Sequence, residues 1–133
     1  MPGPDATHWL HRLTADEWLA AAEVELRHCE AALRARSYRT GITHARRAAG
    51  MALNAVLVLH PRDAWGRSYM EHVNALPDDA TVPESVRSAA RVLRDTKPAP
   101  PELVPLGKPD LRALEAALDL LAYAREVVRV GAL

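Results

Sequence analysis

Ile42, Ala45, Ala49, Ala52, Val56 and Leu59 recur at steps of three and four, a spacing that one face of a 3.6-residue helix satisfies and a strand does not. A second stripe of Ala48, Met51, Ala55 and Val58 runs beside the first. A helix apolar around so much of its circumference must be enclosed, so this segment is expected at the centre of a helical bundle. Its alanines allow neighbouring backbones to come close.

The flanking sequence supplies helices to enclose it. Thr14-x-x-Glu17 reads as a capping box that opens a helix running to about Arg36, with Trp18, Ala22, Leu26, Cys29 and Leu33 on one face. The central helix starts near Ser37 or Tyr38, and Pro61 closes it. A shorter third helix is expected from about Trp65 to Leu76. Thr81-x-x-Glu84, a second capping-box candidate, would open a fourth that runs to about Arg94. Residues 95–109 hold five prolines and read as a long extended loop. A fifth helix is expected from near Asp110 to Gly131, carrying Leu111, Leu114, Leu118 and Leu121 with Leu120, Ala124 and Val127 alongside.

No stretch alternates apolar and polar residues, and no internal repeat is present. The expected class is therefore all-α, an antiparallel four- to five-helix bundle. A chain of 133 residues suits one domain over 1–133, with 1–13 as an N-terminal extension.

Composition removes several function classes. Seventeen basic residues balance seventeen acidic ones, so the overall electrostatic footprint of a nucleic-acid binder is missing, although a local patch remains open. Cys29 is the single cysteine, which excludes an internal disulfide and a cysteine-based metal cluster and fits a reducing compartment. The sequence has no run near the ~18 apolar residues of a membrane span and no secretory leader pattern at its start, so a cytoplasmic protein without a membrane partner is expected. Arginine far outnumbers lysine, which fits a GC-rich bacterial genome. No glycine-rich phosphate loop, paired metal-ligand histidines or serine elbow occurs, and no cofactor or metal is expected.

The stretch "ADEWLAAAEVELRHCEAALRARSYRTGITHARRAAGMALNAVLVLH", a helix followed by a Tyr-containing turn and an alanine-rich helix, resembles the opening hairpin of the HEPN family. "WGRSYMEHVNALPDD" resembles that family's short third helix, and "VPESVRSAARVL" and "ALEAALDLLAYAREVV" resemble its last two. The resemblance implies a bundle that forms a homodimer or higher homo-oligomer. Some members are metal-independent ribonucleases that use an Arg-x(4 to 6)-His motif, whereas others lack it and act as partners or binding modules. In that chemistry the histidine activates a ribose 2′-hydroxyl and the arginine holds the phosphoryl charge.

Two pairs match the motif, Arg39 with His44 and Arg67 with His72. Fifteen arginines and six histidines supply about two such matches by chance, so the spacing alone decides nothing. Position says more. Catalytic members generally carry the motif around the last helices, and this chain has no histidine after His72. Five helical residues also turn about 500°, which leaves the two side chains some 140° apart. The expected function is therefore a self-associating, non-catalytic interaction or binding module. The alternative is a metal-independent endoribonuclease of toxin or defence type, with His72 as base, Arg67 as phosphate clamp and an antitoxin-like protein partner.

One charge pattern stands out. Residues 34–47 hold five arginines and His44 with no acid, whereas residues 14–30 hold five acids against Arg27 alone. Cations at a helix C-terminus account for Arg34 and Arg36, but Arg39 faces the positive end of the next helix. Arg36, Arg39, His44, Arg46 and Arg47 thus form a candidate site for an anion, RNA, a nucleotide or an acidic partner, against the alternative of a solvated turn. Asn54 is a polar residue among apolar neighbours and requires a hydrogen-bond partner if buried.

Overall fold

A computed structural model describes residues 9–98 and 100–131. Among them the chain forms five α-helices and no strand: α1 (Ala15–Arg34), α2 (Tyr38–Leu59), α3 (Tyr69–Ala75), α4 (Glu84–Asp95) and α5 (Arg112–Gly131). Helix α2 is the centre, packed on one side by α1, on another by α5 and near its middle by α3, while α4 lies across α5 and α3. The α2 stripes face inward as their spacing demands: Ala45, Ala49, Ala52 and Ala55 are fully buried, Ile42, Ala48 and Val56 nearly so, and Met51 and Val58 of the second stripe partly buried. Leu59, the last residue of the first stripe, emerges at the end of the bundle, 36% exposed.

Helix α1 begins at the expected capping box. The Thr14 hydroxyl accepts from the Glu17 amide at 3.1 Å, and the Glu17 carboxylate accepts from the Thr14 amide at 3.0 Å. It ends in a reverse turn in which the Ser37 amide donates to the Ala32 carbonyl and the Arg36 amide to that of Leu33. This geometry puts Arg36 at φ 63°, a left-handed conformation that costs a non-glycine residue about 1 kcal/mol. Its side chain offsets that cost by donating to the carbonyls of Val104 (2.9 Å) and Pro105, which holds the proline-rich loop against the α1–α2 turn.

Several boundaries differ from the sequence expectation, each for a local reason. The expected helix over Trp65 to Leu76 is split into a 3-10 turn (Asp63–Trp65) and α3, because Gly66 takes φ 71°, outside the right-handed helical region. Ser68 then caps α3 by accepting from the Glu71 amide. Thr81 does not cap α4. Its hydroxyl donates to Asp79 and accepts from Arg62, and Pro83 occupies the cap position instead. Helix α5 starts at Arg112, with Asp110 outside it accepting from the Arg112 amide. Leu118, expected among the buried leucines, is 45% exposed, since the α5 face turned inward centres on Ala117, Leu120, Leu121 and Ala124.

The described part of the N-terminal extension belongs to the core. Leu10 is 2% exposed, and its carbonyl accepts the Trp18 indole proton at 2.8 Å. Residues 1–8 lie outside the described residues. Gly50 is the contact point of α3 on α2: a Cβ there would fall 2.3 Å from Tyr69 Cβ, so only hydrogen fits. Cys29 is a buried filler, its thiol pushed up to about 11 by burial and the neighbouring Glu30.

Candidate functional site

His72 is the most enclosed of the candidate residues. It projects from α3 toward α2 with no exposed surface, and both ring nitrogens are engaged. Nδ1 lies 2.7 Å from the Trp65 carbonyl oxygen, an acceptor, and therefore carries a proton. Nε2 lies 2.7 Å from the side-chain amide of Asn54, likewise without exposed surface. Burial holds the His72 pKa below its usual 6.5, which favours a neutral ring whose Nε2 accepts from the Asn54 amide nitrogen. A protonated ring would be served by the amide oxygen instead. With Oδ1 toward the imidazole, Nδ2 is buried without an acceptor.

Arg67 and His72 do not meet. The Arg67 guanidinium lies over the Trp9 ring, 5.9 Å from its centroid, and the His72 ring stacks on the same tryptophan at 6.1 Å. A general base needs a lone pair that faces the substrate, and here both imidazole nitrogens face protein groups inside the core.

The arginine-rich hairpin divides by task. Arg46 donates from Nε to the Leu93 carbonyl at 2.8 Å and from a terminal nitrogen to that of Thr96 at 3.0 Å, capping the C-terminus of α4. Arg36 holds loop carbonyls, Arg34 pairs with Glu30, and His44 Nδ1 lies 2.5 Å from the Glu25 carboxylate. Arg39 and Arg47 are exposed, and neither pairs with an acid among the described residues. Beside Arg39, a cavity of about 350 Å³ opens between the start of α2 and the loop, lined by Tyr38, Thr40, Pro98 and Pro100 among others. The hairpin that reads as one basic patch thus leaves two arginines free, the others being spent on the fold.

The family model for the HEPN domain matches residues 15–132, nearly the whole chain. The chain belongs to the HEPN family. No curated protein and no solved structure matches it. The five-helix, strand-free HEPN bundle contains no group of three or more potential metal ligands among the described residues, and no helix there is long and apolar enough to cross a membrane.

A second polar knot closes this HEPN domain between α2 and α4. Asp79 accepts from the Trp65 indole at 2.9 Å, from Arg62 at 3.0 Å and from the Thr81 hydroxyl and amide. The Thr81 hydroxyl, followed by the Trp65 indole, the Thr81 amide and Arg62, lowers its pKa to about 2. A depressed carboxyl pKa stabilises the fold above the unfolded value and ceases to do so as pH falls toward 2. Asp79→Asn is therefore expected to lose about 1–2 kcal/mol at pH 7, a difference that closes between pH 4 and pH 2 in urea titrations. An unchanged gap at pH 2 would refute the assignment.

Sequence reasoning missed the pairing of Asn54 with His72 and the part played by Trp9. A signal was present in the spacing: His72 and Leu76 stand one helical turn apart, and Leu76 is buried, so His72 shares an inward face.

Proposed function

We propose that this HEPN domain is a non-catalytic, self-associating binding module. The observation that carries the reading is the engagement of both imidazole nitrogens of His72 inside the core. At the other pair, His44 directs Nδ1 to Glu25, and Arg39 stands exposed five residues earlier on α2, so helical geometry turns the two side chains apart. HEPN domains often dimerise. The proline-rich loop adds an apolar surface suited to contact, with Leu103 74% and Leu106 92% exposed on backbone that Arg36 holds in place. Arg39, Arg47 and the cavity beside the loop complete a surface for an acidic partner.

Purified protein is expected to run as two or more chains in light scattering and to leave end-labelled structured and unstructured RNA intact in the presence of EDTA. Cleavage by the wild type that Arg67→Ala abolishes would replace this reading with a metal-independent ribonuclease. A monodisperse monomer at high concentration would remove self-association from it.

A further inference from the structure

The α1–α2 hairpin brings together two histidines that no ligand spacing marks in the sequence. His28 on α1 and His44 on α2 approach to 5.4 Å between ring centroids, with the ring planes 33° apart. Glu25 stands one helical turn before His28, and its carboxylate lies 2.5 Å from His44 Nδ1. A carboxylate only accepts, so Nδ1 carries the proton, and in a neutral ring Nε2 keeps its lone pair. That nitrogen bonds nothing among the described residues and is open to solvent. His28 is exposed and likewise has no hydrogen-bond partner among them.

The separation of the rings suits a shared ion. Zinc sits about 2 Å from an imidazole nitrogen, hence about 3.2 Å from the ring centroid, and two imidazoles at a tetrahedral angle then have centroids about 5 Å apart. The two rings stand close to that distance, and the broad χ2 torsion of an exposed histidine lets His28 aim a nitrogen at the ion. Glu25 is placed as carboxylates are behind metal-bound histidines, where they fix the tautomer, orient the ring and make its free nitrogen a stronger ligand. We propose that His28 and His44 bind a divalent ion of the zinc class, with Glu25 as the positioning residue, and that the ion clamps α1 to α2. Imidazole selects such ions over magnesium, which demands oxygen ligands. Two histidines leave two positions of a tetrahedral ion to water or to a second copy of the chain. The site shares no residue with the cavity beside Arg39 and does not depend on the function proposed above.

Full-length protein is titrated calorimetrically with zinc chloride, and in parallel with magnesium chloride, at pH 7.5 in a buffer that does not bind metals. Saturable zinc binding is expected, with magnesium inert. Affinity should fall roughly tenfold or more in His28→Gln, in His44→Gln and, through the lost orientation of His44, in Glu25→Gln, and stay unchanged in His11→Gln and His60→Gln, which alter two other exposed histidines. In ¹⁵N-labelled protein the Nε2 signal of His44 should move on zinc addition while those of His60 stay in place. Because the ion would join two helices of the folded chain, zinc should raise the thermal midpoint of the wild type and not that of His28→Gln. One ion per chain identifies water in the open positions, and one ion per two chains identifies the second copy; both support the site. It is overturned if zinc does not saturate below millimolar concentration, or if His28→Gln binds it as tightly as the wild type. His28 is exposed, so loss of binding in that variant is not loss of folding.

Discussion

His72→Ala is expected to lower stability by about 3–4 kcal/mol, a fall of roughly 10–15 °C in thermal midpoint for a chain of this size. The substitution removes a fully buried ring, opening a void between α2 and α3, and strips partners from the Trp65 carbonyl and the Asn54 amide. Asn54→Ala strands the imidazole in the same way. The pair should therefore be non-additive, the double variant costing about 1–3 kcal/mol less than the two single losses together. A chemical-denaturation cycle of the three variants measures this, and additive losses would mean that the two side chains do not depend on one another. The pH dependence follows from the same burial. Since the folded pKa lies below 6.5, the unfolded chain takes up a proton that the folded one refuses, and stability declines as pH falls through that value. His72→Ala should lack that part of the decline.

Trp18→Ala is expected to cost about 3–5 kcal/mol. The side chain is 1% exposed, and its indole fastens the Leu10–Arg12 turn to α1 through the Leu10 carbonyl. Trp18→Phe separates the two contributions: most of the packing is kept, the donor is lost, and about 1–2 kcal/mol should go with it. Trypsin cleavage after Arg12 reports the turn directly and should accelerate in both variants. An unchanged cleavage rate in Trp18→Phe would show that packing alone holds the turn.

Much of the fold was legible because its signals are local. The Thr14–Glu17 box and the α2 stripes each state their structure within a few turns of helix, and each stands where the sequence puts it. Thr81-x-x-Glu84 shows the limit of such reading: its capping pattern is intact, yet Asp79 and Arg62 compete for the hydroxyl from outside the window. The Arg34–Arg47 run shows the same limit for the site. Charge can be counted along the chain, but whether a guanidinium remains free depends on carbonyls 47 to 69 residues away, those of Leu93, Thr96, Val104 and Pro105.

The sequence by itself determined that five amphipathic segments would form helices, that the alanine-rich one would take the centre, and that the chain would resemble HEPN domains, because helical periodicity and small-residue packing are properties of neighbours in the chain. Only the tertiary structure decided that His72 faces Asn54 within the core, that Arg36 and Arg46 close helix and loop ends, and that Trp9, Asn54 and Arg67 line one cavity. Hydrogen-bond partners are chosen by proximity in space, and a buried polar group takes whichever partner the packing of apolar faces brings within 3 Å.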